Sequence, residues 1–193
     1  MGAMQQMLMS YKSASLVYAT WNPADKSPGV TLLNGDLTAA VTTSPSDGGT
    51  VRSTIGKSTG KFYFEFIPFS SYATIGVANQ FATVAAQTFP GIDSNGWCYY
   101  GLNGAKYNGS GPIGYGQTFG VGDTIGVAFD LTNSTLEFFK NGVSQGVAFS
   151  NLSGQIFAAT GNYTINETMG TARFGASGFV YPAPPGYTAG LFT

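Results

Sequence analysis

Apolar and polar residues alternate in short bursts along this chain, and Gly, Asn, Asp and Pro punctuate the bursts. The clearest is Lys61-Phe62-Tyr63-Phe64-Glu65-Phe66-Ile67. Its period of two puts Phe62, Phe64 and Phe66 on one face and Tyr63 and Glu65 on the other, and predicts a strand whose Phe face lies in the core. Further strands are predicted over Leu16 to Trp21, in two pieces of Val30 to Val41 around Asn34-Gly35, and over Val51 to Ile55, Ala73 to Ala78, Gly96 to Leu102 and Ala105 to Tyr107. Thr124 to Leu131, Gln155 to Thr160 and Gly170 to Phe174 continue the series. Ser134 to Lys140 and Val143 to Phe149 flank Asn141-Gly142, the strongest hairpin signal, because both turn residues tolerate positive φ. Ser44 to Gly49 reads as a loop. Asn79 to Asn95 has no clear period, and a long irregular loop in a compact domain is often functional. About ten to thirteen short strands with no helical period predict an all-β, antiparallel two-sheet β-sandwich.

Composition sharpens this picture. Charged residues are 9% of the 193 and aromatics 15%, so Ser, Thr, Asn and Gly must solvate the surface. The 28 Gly supply tight turns. With a net charge of −1 and no His, the chain offers no basic stripe for nucleic acid and lacks the commonest general base and metal ligand. The single Cys98 lies in the apolar run Trp97 to Tyr100 and reads as a buried structural thiol, so no cofactor and no metal are expected. No stretch approaches the roughly 18–20 apolar residues of a membrane span, and the start lacks a secretory pattern. Residues 1–15 read as a four-residue cloning remnant and a flexible arm, 16–180 as the sandwich and 181–193 as a Pro-rich tail too stiff for a central strand. Met7, Leu8 and Met9 on the arm offer a contact for a homo-oligomer.

Four blocks in order then resemble a known family. Gly60 to Phe66 is similar to the opening signature of SPRY domains, Ile75-Gly76-Val77-Ala78 to their next strand, Gly122 to Asp130 to their most recognisable stretch, and Leu136 to Gly142 with Gly146 to Phe149 to their closing hairpin. The resemblance covers Trp21 to Phe174. It implies a concanavalin A-like jelly-roll sandwich that binds peptides or other ligands through loops at one end. The flanks, Asn22-Pro23, Leu33 to Ala39 and Phe174 to Tyr187, resemble bacteriophage and prophage SPRY proteins of the virion or tail. That finer resemblance implies a virion location, with a host-surface glycan or protein, or other virion proteins, as partners.

Candidate chemistry is sparse. Glu65 and Glu137 sit mid-strand without the close acidic cluster of a glycosidase, and read as strand-face residues satisfied by Lys, Tyr or backbone. Asp93-Ser94-Asn95 offers too few oxygens for Ca²⁺. Four glycosylation sequons, at Asn133, Asn151, Asn162 and Asn166, read as turns. The Tyr- and Asn-rich stretch Tyr99 to Tyr115 is the most site-like, because Tyr faces and amides suit sugars or peptide backbone. Tyr72, Phe81, Asp93, Tyr107 and Tyr115 are the ligand-binding candidates. The leading expectation is a non-catalytic binding module, with a purely architectural virion protein as the alternative and a glycan-cleaving enzyme as the remote one.

Overall fold

The computed structural model describes residues 15–41, 48–162 and 167–193. The expected arm with Met7, Leu8 and Met9, and Ser44 to Asp47 of the expected loop, lie outside the described residues, as do parts of the sequons at Asn162 and Asn166, while Gly49, expected to end that loop, opens a strand. Fifteen strands follow one another with no helix among the described residues: β1 (Trp21–Lys26), β2 (Val30–Leu33), β3 (Thr38–Val41), β4 (Gly49–Lys57), β5 (Lys61–Pro68), β6 (Thr74–Asn79), β7 (Gly96–Tyr100), β8 (Ala105–Tyr107), β9 (Ile113–Gly114), β10 (Ile125–Asp130), β11 (Thr135–Lys140), β12 (Val143–Phe149), β13 (Ile156–Asn162), β14 (Glu167–Arg173) and β15 (Thr188–Ala189). They form two sheets, ordered β1-β4-β13-β6-β7-β8-β9 and β12-β11-β10-β5-β14-β3-β2. All pairings are antiparallel except β15, which runs parallel to β5. The expected jelly-roll sandwich is the fold.

The alternation of β5 does what its period requires. Phe64 and Phe66 are fully buried between the sheets, joined from the facing sheet by Trp97 and Tyr99 of β7 and Ile75 of β6. Each such side chain contributes about 1.5–3 kcal/mol by leaving water. The Asn141-Gly142 turn has φ of 51° and 79°, the positive pair a two-residue hairpin needs, and it joins β11 to β12.

Two segments differ from the sequence reading. The run Leu16 to Trp21 was expected as a strand, but only Tyr18 makes a bridge, to Phe192, and β1 begins at Trp21 and continues through Pro23. Pro is tolerated there because β1 is an edge strand with an irregular register. The residues expected as a tail return to the sandwich. The Glu65 carboxylate is completely buried on the outer side of β5, where it accepts the backbone N–H groups of Val180 (2.7 Å) and Tyr181 (2.8 Å) and the Tyr63 hydroxyl (3.1 Å). Beyond it, Gly190 N–H reaches the Tyr63 carbonyl and Thr193 pairs with Val17. The segment from Phe174 to Gly190 is thus a strap across the outer face of the second sheet, with Phe179 edge-on to Tyr63 at 5.3 Å.

Candidate functional site

The first sheet has a different outer face. In β6, β7 and β13 the outward positions Gly76, Ala78, Gly96, Cys98, Ala159 and Gly161 form a patch of small, buried residues, bordered on the same face by Phe157 and Tyr100. What covers them is the loop 80–95, the segment without periodicity. A Cβ on Gly161 would lie 2.9 Å from Pro90 Cδ and 3.0 Å from Phe89 Cα, and one on Gly96 would lie 2.6 Å from Gly91 N. The stretch Phe89-Pro90-Gly91 therefore crosses from β13 to β7 on a bed that only small residues leave room for. Beneath it Cys98 is fully buried, and burial pushes its thiol pKa well up, which makes it the inert thiol the sequence suggested.

Local hydrogen bonds hold the loop. Asn79 takes the Phe81 N–H at 2.9 Å and donates its amide to Asn95 Oδ1 and the Ser153 carbonyl. Asp93 accepts the Thr83 and Asn95 N–H groups, each at 2.8 Å. Burial alone would raise the Asp93 pKa, but these bonds and the Arg52 charge outweigh it and hold the carboxyl below its ordinary value. Asp93 is turned into its own loop to fix it. Arg52 is itself bound bidentately to Asp25, at 2.8 and 3.0 Å, and to the Asn79 carbonyl.

Against this loop stands a row of rings. Phe89 meets Tyr107 edge-on at 5.2 Å, and Tyr107 meets Tyr100 at 6.2 Å, all three partly exposed. Tyr72 lies near Tyr100, close enough to raise the pKa of its hydroxyl. It precedes Ala73, whose carbonyl accepts the Gly101 N–H at 3.1 Å, and it is 38% exposed. Beyond Tyr72, Gly101 and Gly120 both approach Ser71, which sets Leu102 (46% exposed) and Val121 (77% exposed) on the neighbouring loops. Phe81, at 72% exposure, stands at the other end of the loop 80–95.

The five candidates thus separate. Tyr72 and Tyr107 are brought together, Phe81 is presented apart from them, and Asp93 is structural. Tyr115 faces inward: its ring packs edge-on to Tyr99 at 5.2 Å, and its hydroxyl donates to the Gly146 carbonyl while accepting the Phe138 N–H. With Lys106, which reaches the Ala148 carbonyl, it occupies backbone acceptors of β12, the edge of the second sheet. Sequence reasoning missed Phe89 and Tyr100 as members of the row. The period of two does place Tyr99 inward and Tyr100 outward once the core face of β7 is known.

Burial raises the pKa of the Tyr99 hydroxyl, to about 12, and of Tyr63 and Tyr115 as well; nearby carboxylates add to it, Asp123 for Tyr99, Glu65 for Tyr63 and Glu137 for Tyr115. Their folded pKa values lie above the unfolded value of about 10, so stability is intact below that pH and is lost as pH rises through the folded values. Each group then removes up to about 1.4 kcal/mol per pH unit. Absorbance titration beside circular dichroism is expected to show these three ionising only as the protein unfolds. Ionisation of all 11 tyrosines near pH 10 with native dichroism would contradict the burial described.

A family model described as SPRY domain matches residues 61–172. Ran-binding protein 9 of Xenopus tropicalis is 34% identical over 84% of this chain and 31% of its own length, and human Ran-binding protein 9 is 33% identical over 84% of this chain and 23% of its own. The chain therefore spans a third or less of these relatives. The SPRY domain of human HERC1 superposes with a TM-score of 0.63 at 18% identity, covering 79% of this chain and 95% of that one, a likeness of fold. These findings overturn the bacteriophage, virion and tail-protein reading and the virion location. The flanks that suggested them serve the fold: Asn34 and Gly35 make a positive-φ turn between β2 and β3, and Phe174 to Tyr187 forms the strap. Such features report a way of closing the sandwich, not where the protein resides.

Proposed function

The chain belongs to the SPRY domain family, and from that premise we propose that it is a non-catalytic protein-interaction module that docks a partner on the row Phe89, Tyr107, Tyr100 and Tyr72. The observation that carries this reading is the row itself, Phe89, Tyr107 and Tyr100 in successive ring contact with Tyr72 close by, all partly exposed beside a loop clipped by its own hydrogen bonds. Tyr rings supply large contact area at low entropic cost, and such residues dominate binding energy in interfaces. The relatives' name, Ran-binding protein, is a binding name and supports a binding role. Against catalysis, Glu65 is sealed under the strap and Glu137 is bonded to the Ser144 hydroxyl.

The test is selection of displayed linear peptides against the protein and against a Tyr72→Ala/Tyr100→Ala variant. Resynthesised winners are expected to bind the variant roughly 30-fold more weakly, the equivalent of about 2 kcal/mol at a hot spot, with the melting temperature little changed. Equal binding to both proteins would remove the row from the function.

A further inference from the structure

Resting on the row as the docking surface, we infer that it takes an extended protein segment carrying a basic side chain, whose cation sits against the Tyr72 and Tyr100 rings and the Glu167 carboxylate. The Ser70 hydroxyl links these groups: it donates to Glu167 Oε2 while its oxygen accepts the Tyr72 N–H at 3.0 Å. The carboxylate is thereby fixed next to Tyr72 at the start of β14, partly exposed. Its charge reaches the Tyr100 hydroxyl, whose pKa is raised first by burial and then by Tyr107, Tyr72 and Glu167.

Among the described residues no ion pair involves Glu167. Three cations of the first sheet are committed elsewhere, Arg52 to Asp25, Lys57 to the Phe192 carbonyl and Lys106 to the Ala148 carbonyl, and Lys140 of the second sheet is held by Asp123 and the Thr118 carbonyl. A fixed carboxylate close to tyrosine rings attracts a guanidinium or ammonium group by charge pairing and by the ring quadrupole, and the same field repels an acidic segment. Exposed Leu102 and Val121 beyond Tyr72 offer apolar contact to the residues on either side of the cation.

The experiment sequences the dodecapeptides selected from a displayed random library by the wild-type protein, by Glu167→Gln and by Glu167→Lys. Gln keeps an acceptor for Ser70, and thermal unfolding of each variant confirms the fold. Wild-type winners are expected to be enriched in Arg and Lys. Glu167→Gln is expected to lose that enrichment and to bind the resynthesised winners about tenfold more weakly, with a loss of similar size when their Arg is replaced by Gln. Glu167→Lys is expected to turn the preference towards acidic peptides. Winners that depend on Tyr100 but show no preference for basic residues would overturn the inference and leave the row as the docking surface. An absence of winners would overturn both.

Discussion

Glu65→Ala is expected to cost about 4 kcal/mol of unfolding free energy and to release the C-terminal strap. The carboxylate is fully buried and accepts three hydrogen bonds, from Tyr63 Oη and from the Val180 and Tyr181 amides. Truncation leaves all three donors without a partner in a place water reaches poorly, at roughly 1–3 kcal/mol each before relaxation. The strap's other ties are Gly190 N–H to the Tyr63 carbonyl and the two-residue β15, towards its end, and the Phe179 ring on Tyr63, while Pro182 to Gly186 lies outside any strand. Urea unfolding should show the loss, and limited proteolysis should cut the variant between Gly178 and Tyr187 while sparing the wild type. Glu65→Gln keeps one acceptor oxygen and should fall between the two. A change under about 1 kcal/mol in Glu65→Ala, with the strap still protected, would mean that the strap is held by other contacts.

Gly161→Val is expected to destabilise by about 3 kcal/mol and to expose Cys98. The new Cβ would press on Pro90 Cδ, Phe89 Cα and the Gly49 carbonyl oxygen, two of which are backbone, so the loop must lift instead of a side chain swinging aside. Lifting the Phe89 to Gly91 stretch uncovers the outer face of β7, where Cys98 sits. The wild-type thiol should resist a thiol reagent under native conditions, and the variant's should react. Phe89 would leave Tyr107 in the same movement, so binding should fall with it. A variant that keeps both its stability and its protected thiol would show that the loop does not rest on Gly161.

The sequence carried the fold further than it carried the site, for reasons visible in single residues. The β5 alternation and the Asn141-Gly142 turn are local signals, encoded within a few residues of where they act, and so were the blocks that resemble SPRY domains. Glu65 shows the limit: its place on an outward strand face was legible, but the amides that bury it come from 115 and 116 residues away. Asp93 and Tyr115 looked alike as loop residues with polar tips. One turns to cap its own loop and the other turns to close a sheet edge, and only the tertiary arrangement distinguishes them. Tyr72 and Tyr107 stand out in the sequence because they flank turns, whereas the neighbourhood of Tyr100 and Phe89 becomes visible only once the loop 80–95 has a place to lie. The virion reading failed because resemblance in the flanks reflected how a sandwich closes.

The most direct measurement is an amide and aromatic NMR titration of the labelled protein with a peptide selected by it. The largest shift changes are expected on Tyr72, Phe89, Tyr100 and Tyr107 and on their sheet neighbours. Changes gathered instead around Phe139, Tyr181 and the Asn141-Gly142 hairpin would place the partner on the strapped sheet and contradict docking on the row.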